Sequence, residues 1–343
     1  MSEKLRIGVI GAGSFASRRH LPALVSSPRA EVVALCRRDP VALDKMGDHF
    51  GVTRRYSDWQ QMLDEVEMDG VLIATPHALH YPQAKECLER GLHVLLEKPM
   101  ATTSAEARKL LALAREQQKA LTVALNPPYW AHDHYLRQLR EEGAFGALEA
   151  VEVVWVVDVR PLFGKAPVSS NLPGVVPPTL FRGDASLSGG GFFMDGGSHA
   201  VSEILWVSGE RVIEAMALMD DPDMDLKASV SMRLEGGGIA HITLMGASNM
   251  SRKRQHTLYF GASATAFVEA PPFKVAFAPA EGPAQTVEEG DLPSPISPVE
   301  DFLATVLDGT SPLGSPEHAL HVVEVIEAAY WSAKTGMAMP VRK

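Results

Sequence analysis

Apolar residues in the first third of the chain fall in short, nearly unbroken runs at 5–10, 31–36, 70–74 and 93–96. Runs without a polar face suit strands covered on both sides. Between them lie amphipathic stretches. The clearest is 105–119, where Leu110, Leu111, Leu113 and Ala114 recur at helical spacing and Thr103 with Glu106 forms a candidate capping box. Strands alternating with helices predict a parallel α/β sheet with right-handed crossovers.

The pattern changes after about Asn126. A helix at 131–142 precedes a long strand at 148–159, and a Pro- and Gly-rich loop runs from 160 to 189. A loop of that length inside a compact domain is usually functional. A helix at 192–207 follows. After it, 212–219, 226–234, 239–245, 256–261 and 264–268 alternate as antiparallel strands do, with Gly236-Gly237-Gly238 as a hairpin signal. Residues 278–298, rich in proline and acid, read as an exposed connection. A helix at 316–334 closes the pattern. The fold class expected is α/β: an N-terminal doubly wound parallel sheet of Rossmann type, then an α+β part with a large, mainly antiparallel open sheet.

Composition removes several function classes. The 343 residues are 46% hydrophobic and 22% charged, which suits a globular protein and not a disordered one. Lys plus Arg number 32 against 42 Asp plus Glu, a net charge of −10. Without a basic run, nucleic acid is a poor partner. The two cysteines, Cys36 and Cys87, are too few for a disulfide scaffold and read as buried thiols in a reducing compartment. No stretch of about 20 apolar residues could span a membrane. The opening residues run into a glycine motif rather than a cleavage site, so a cytoplasmic location is expected.

The chemistry-bearing residues follow the strand ends. Gly11-Ala12-Gly13-Ser14-Phe15-Ala16 is G-x-G-x-x-A directly after the first strand. There Gly11 permits the tight turn, Gly13 lets backbone approach a pyrophosphate, and Ala16 keeps helix and strand close. After the second strand stand Arg37, Arg38 and Asp39, where an acid selects NAD and an arginine accommodates the 2′-phosphate of NADP. NADP is therefore favoured. Arg38 can stack on adenine, and Asp39 stays open as a ribose ligand, which keeps NAD in view. Thr75, Pro76, His77 and His80 follow the third strand, and Glu97-Lys98-Pro99 follows the fourth. Ligands of doubly wound sheets lie at these carboxyl ends. Asp195 and His199, at i and i+4 behind Gly189-Gly190-Gly191, fall on one helical face, where a carboxylate can orient an imidazole. No third or fourth ligand stands near them, so no metal site is expected.

Together the G-x-G-x-x-A, the T-P-x-x-x-H at 75–80, the Glu97-Lys98-Pro99 and the D-x-G-x-H at 195–199 resemble the Gfo/Idh/MocA family, the glucose–fructose oxidoreductase and inositol dehydrogenase relatives. The resemblance spans nearly the whole chain. It implies a Rossmann domain over 1–125 and a substrate and oligomerisation domain over 126–343, whose last helix packs back on the first. It implies cofactor contacts from the strand-end residues named above and from Asn126 at the domain junction. It implies Lys98, Asp195 and His199 as catalytic residues, with His199 taking a proton and Lys98 stabilising alkoxide charge. The implied activity is hydride transfer between a nicotinamide cofactor and a hydroxyl or ketone of a sugar, cyclitol or related polyol, in a homodimer or homotetramer built through the second sheet. The alternatives are a non-catalytic NAD(P)-binding regulator, against which the three retained residues weigh, and an NAD-assisted glycoside-cleaving enzyme. Two departures touch the substrate side: Ser202, with Glu203 next to it, stands where relatives often carry Asp, and Pro128 where many carry Arg. Arg160, Lys165 and Arg182 in the long loop are candidates to contact an acidic group on a substrate, although solvated loop charges are the plainer reading.

Overall fold

The computed structural model describes residues 4–169, 174–250, 253–293 and 296–342. The chain divides into two compact units. The first comprises 1–124, 167–187 and 296–320; the second comprises 125–166, 188–295 and 321–343.

The first unit holds β1 (Leu5–Ile10), β2 (Ala30–Cys36), β3 (Arg55–Tyr56), β4 (Gly70–Ile73), β5 (His93–Glu97) and β6 (Leu121–Ala124). Their order is β3-β2-β1-β4-β5-β6, all parallel. The order reverses between β1 and β4, and that reversal opens a crevice at the strands' carboxyl ends. Leu72 and Leu95 are buried because helices cover both faces of the sheet. The core joins Leu5, Ile7, Val9 and Leu35 to residues far along the chain: Val176, and Val299, Phe302 and Leu303 of the helix Pro298–Asp308. That helix lies outside the amphipathic runs read from the sequence, and its packing explains why 296–320 belongs to this unit. The helix Ser104–Glu116 starts where expected, but its capping box is half made. Thr103 Oγ1 accepts from the Glu106 N–H at 3.3 Å, while the Glu106 carboxylate receives the Thr102 hydroxyl.

The second unit is built on a nine-stranded sheet: β7 (Leu148–Val156), β8 (Val212–Met219), β9 (Lys227–Leu234), β10 (Ile239–Met245), β11 (Arg254–Gly261), β12 (Ala264–Ala270), β13 (Lys274–Pro279), β14 (Gln285–Glu288) and β15 (Met339–Pro340). Their order is β14-β13-β12-β11-β7-β10-β9-β8-β15, antiparallel except for the central β7·β10 pair. Strands such as β12 alternate strictly between buried and exposed positions, as one-sided sheets do. The stretch read as an exposed connection, 278–298, instead contains β14, paired along β13. Ladder hydrogen bonds override its weak strand propensity. The last helix, Pro316–Thr335, was expected to pack on the first domain. Its first five residues fall in the first compact unit, and those from His321 on fall in the second. There His321 Nε2 accepts the Val212 N–H at 3.1 Å, and Ser332 Oγ accepts the Ala217 N–H at 2.9 Å.

Cys36 and Cys87 are buried free thiols, and burial pushes both up to about 12. No helix of the described residues is long and apolar enough to cross a membrane.

Candidate active site

In the first unit, the chain turns sharply after β1. Gly11 has φ +91°, and a Cβ there would stand 2.6 Å from the Ala74 carbonyl. Only glycine fits that turn. The Gly11 and Ala12 N–H groups both donate to the Cys36 carbonyl at 3.0 Å, which ties the loop to the end of β2. The helix Ser14–Arg18 opens at once, with Ser14 and Ala16 buried. The Phe15 ring meets His20 edge-on, with centroids 5.7 Å apart.

Arg37 folds back over this loop. Its Nη1 donates to the Ala12 carbonyl at 3.2 Å and would lie 3.2 Å from a Cβ on Gly13. It is half-buried, and burial lowers its pKa. Its Nε is buried without a hydrogen-bond partner among the described residues. Arg38 is exposed. The exposed Asp39 carboxylate accepts the Ala42 N–H at 3.2 Å on Oδ1 and caps Pro40–Phe50.

The loops after β4 and β5 are tied to each other. His80 is fully buried, with Nδ1 2.7 Å from the Pro99 carbonyl and Nε2 2.9 Å from the Thr75 carbonyl. Burial lowers its pKa. Thr75 donates its hydroxyl to Gln83 at 2.7 Å. Glu97 Oε1 lies 2.5 Å from His20 Nε2, and Oε2 accepts the Lys98 N–H at 3.2 Å. His80 and Glu97, expected among the cofactor contacts, thus have their polar atoms engaged inside the unit and shape the loops. Pro76 leads into a short turn that begins at His77. His77 and Lys98 are buried at the same strand ends, and the Phe181 ring meets His77 at 5.0 Å. The segment carrying Phe181 also crosses the first helix, where the Val175 N–H donates to Ser17 Oγ at 3.1 Å.

In the second unit, the helix expected at 192–207 is two kinds of helix. A π turn, Phe193–Gly197, carries Asp195, and the α-helix Ser198–Ser208 carries His199. The pair straddles the junction. Single π turns recur at functional sites because they re-aim a side chain. Asp195 is buried, and its carbonyl accepts the Ser198 hydroxyl at 2.8 Å. The His199 ring lies near two indoles, with centroids 6.4 Å from Trp130 and 6.3 Å from Trp155. The Lys253 ammonium stands 3.5 Å from the Trp155 centroid and 5.9 Å from that of Trp130. Burial lowers Lys253 to about 8. Asn126 opens the turn Pro127–Tyr129 in this unit.

One turn beyond His199, Glu203 is fully buried and receives Gln255 Nε2 at 3.1 Å and the Tyr259 hydroxyl at 3.3 Å. Burial pushes it up to about 7. Asp133, buried nearby, is raised by burial and by the Glu203 charge. His132 stacks on Phe273 with centroids 3.7 Å apart, and burial lowers it to about 3. Of the loop cations, Arg160 is committed to Asp158 through Nε at 2.8 Å, and the Arg182 guanidinium lies 4.6 Å over its neighbour's ring at Phe181.

Glu203, next to Ser202 at the family's Asp position, is legible in the sequence, being four residues beyond His199 on the same helix, and Trp155 shares the buried parity of Val151 and Val153 in β7. Asp133 and Lys253 carried no such signal. Among the described residues no group of three or more His, Cys, Asp or Glu could hold a metal ion.

A glycine loop at the reversal of a doubly wound sheet is the usual seat of a nicotinamide dinucleotide. Residues 5–125 match the family described as "Oxidoreductase family, NAD-binding Rossmann fold", and residues 134–265 match the GFO/IDH/MocA C-terminal domain. The class is an NAD-binding oxidoreductase. The chain belongs to the Gfo/Idh/MocA family. It is 32% identical to a dTDP-3,4-didehydro-2,6-dideoxy-alpha-D-glucose 3-reductase of Saccharopolyspora spinosa, over 71% of this chain and 68% of that one. Two Streptomyces proteins of the same name match over 48% and 45% of their own lengths. Among solved structures, it is similar to the WlbA dehydrogenase of Bordetella pertussis in complex with NADH and UDP-GlcNAcA. That match has a TM-score of 0.83 at 24% identity and covers 99% of this chain and 100% of that one. It is also similar to a levoglucosan dehydrogenase bound to NADH and levoglucosan, with a TM-score of 0.85 at 20% identity over 99% of this chain and 100% of that one.

Proposed function

We propose that the protein transfers a hydride between a nicotinamide cofactor and a secondary hydroxyl or ketone of a sugar, cyclitol or related polyol. When bound, the cofactor supplies the hydride acceptor or donor. In oxidation, His199 takes the proton leaving the hydroxyl oxygen, and the Lys98 ammonium hydrogen-bonds the same oxygen and stabilises its developing negative charge. Asp195 orients His199 or holds a neighbouring hydroxyl. In reduction the same groups return the proton. Names of the similar proteins support the substrate class: one reduces a dideoxyglucose nucleotide, and another is a levoglucosan dehydrogenase.

The residues fit a dinucleotide, since a Cβ at Gly11 would fill the loop's turn and Arg37 closes over it. The cofactor reading is NADP. Arg37 beside Gly13 offers a guanidinium to a 2′-phosphate. The two solved relatives named above hold NADH, so NAD remains the comparison in every test. The observation that carries the catalytic reading is the imidazole of His199, beside the indoles of Trp130 and Trp155 in a chain that keeps the family's lysine at the end of β5. The assembly reading is a homodimer or homotetramer through the open face of the nine-stranded sheet, which exposes Met216, Leu218, Ile239 and Phe260.

The test is a spectrophotometric screen of polyols, sugars and sugar acids with NAD and NADP. Reduction of a dinucleotide by a member of this panel supports the reading. Tight dinucleotide binding without turnover of any of them would move the protein to the regulator class.

A further inference from the structure

Four N–H groups at the start of the π turn that carries Asp195 are all taken by two residues, the half-buried Tyr330 and the buried Asp225, the latter with its backbone as well as its side chain. Tyr330, on the last helix, accepts the Gly191 N–H at 2.9 Å and the Met194 N–H at 3.1 Å on its phenolic oxygen. The same oxygen donates its proton to Asp225 Oδ1 at 2.6 Å. Asp225 Oδ2 accepts the Phe193 N–H at 2.8 Å, and the Asp225 carbonyl accepts the Phe192 N–H at 2.7 Å. The first N–H groups of any helix lack intrahelical partners. Here they are taken by a frame of tertiary partners from other segments.

The fit around this frame is close. A Cβ on Gly191 would lie 2.2 Å from the Asp225 backbone, and one on Gly190 would lie 2.7 Å from the Tyr330 hydroxyl. The Phe193 ring packs edge-on to Tyr330, with centroids 6.2 Å apart. Gly190 and Gly191 are therefore the surface on which this frame rests. Burial pushes Asp225 up to about 7, while the Tyr330 hydroxyl and the Phe193 N–H, one on each oxygen, act in the opposite sense.

We propose that Tyr330 and Asp225 are positioning residues for hydride transfer, fixing the turn that aims Asp195 and His199 without touching substrate themselves. The inference rests on the reading of Asp195 and His199 as catalytic. A π turn has poorer hydrogen-bond geometry than the α-helix that follows it. Without the Tyr330 oxygen, the lead-in can relax toward a regular helix, which would rotate Asp195 relative to His199. A misplacement of about 1 Å is enough to cost roughly 100-fold in rate.

The test is Tyr330→Phe in the full-length protein, which keeps the ring against Phe193 and removes the oxygen. Ser332→Ala is its control: it deletes a buried hydroxyl from the same helix, one that serves strand β8. Turnover is measured per dinucleotide-binding site on the panel compound the wild type oxidises fastest. We expect Tyr330→Phe to lower kcat at least tenfold while the dinucleotide Kd stays within twofold, and Ser332→Ala to leave kcat intact. A substrate-free readout runs beside it: in protein carrying 13C-histidine, the His199 resonance (assigned through His199→Gln) shifts in Tyr330→Phe and not in Ser332→Ala. If Tyr330→Phe does not fold, Asp225→Asn is judged by the same two readouts. An unmoved His199 resonance, or a kcat loss no larger than that of Ser332→Ala, overturns the positioning role. Loss of the catalytic reading looks different: Asp195→Asn and His199→Gln would then retain wild-type turnover.

Discussion

The Arg37 guanidinium donates to the Ala12 carbonyl oxygen at 3.2 Å and so lies across the glycine loop from the end of the neighbouring strand. A cation in that place does two things. It pins the loop's middle residue from outside, and in the cofactor reading proposed above it offers a fork of donors to the ribose end of a dinucleotide. Only the second is sensitive to the 2′-phosphate.

Arg37→Asp replaces the fork with a repelling charge. NADP binding should weaken by about 10- to 100-fold, the worth of a charge-assisted hydrogen bond, while NAD moves much less. Equilibrium titrations with both dinucleotides check it. Equal weakening of the two would show that Arg37 serves the loop and not the phosphate.

Lys98→Ala should still bind dinucleotide, because the glycine loop is untouched. Turnover should fall by about 100- to 1000-fold, as expected when one donor to a developing oxyanion is removed. Steady-state kinetics beside a binding titration separate the two effects. Wild-type turnover would remove Lys98 from the chemical step.

Gly11→Ala tests the turn. Its Cβ would meet the Ala74 carbonyl at 2.6 Å in a backbone with φ +91°, so the loop must move. The protein should lose roughly 1–3 kcal/mol of stability, and dinucleotide affinity should fall with it. A thermal melt with and without dinucleotide reports both; a variant that melts and binds as the wild type does would show that the turn tolerates a side chain.

Glu203→Gln tests the buried acid beneath His199. In the fold Glu203 sits at about 7 against 4.5 ordinarily, so the native state holds its proton more tightly than the unfolded chain. The native state then binds more protons between about 4.5 and 7, and the carboxyl's contribution to stability declines as pH rises through that window. The amide does not ionise. Relative to wild type, the variant should gain stability from pH 5 to pH 8, on the order of 1–3 kcal/mol. Melting temperatures at the two ends give the answer, and a difference constant with pH would mean that Glu203 does not change charge there.

Much of the fold was legible because its signals are short-range. β8 and β10 fall on the expected residues, since alternation of buried and exposed positions is written every second residue. β13, β14 and the helix Pro298–Asp308 were not read. β14 has no buried residue, and only its partner strand makes it a strand. The candidate site divides the same way. Gly11, Lys98, Asp195 and His199 were visible through motif and spacing. Trp130, Lys253 and Asp133 come to His199 and Glu203 from segments with no shared pattern.

By itself the sequence determined the glycine turn, the strand order's raw material and the identity of the groups that can hold a dinucleotide or move a proton. Local sterics and side-chain chemistry decide those within a few residues. Tertiary structure alone decided which of these groups remain at liberty. Packing gave Asp39 to a helix end, Glu97 to His20 and His80 to two carbonyls, and set Arg37 over the loop. It also brought Tyr330 and Asp225 to one turn across more than a hundred residues of chain. A buried polar atom must find a partner, and which partner it finds depends on the whole packed core, which no local pattern encodes.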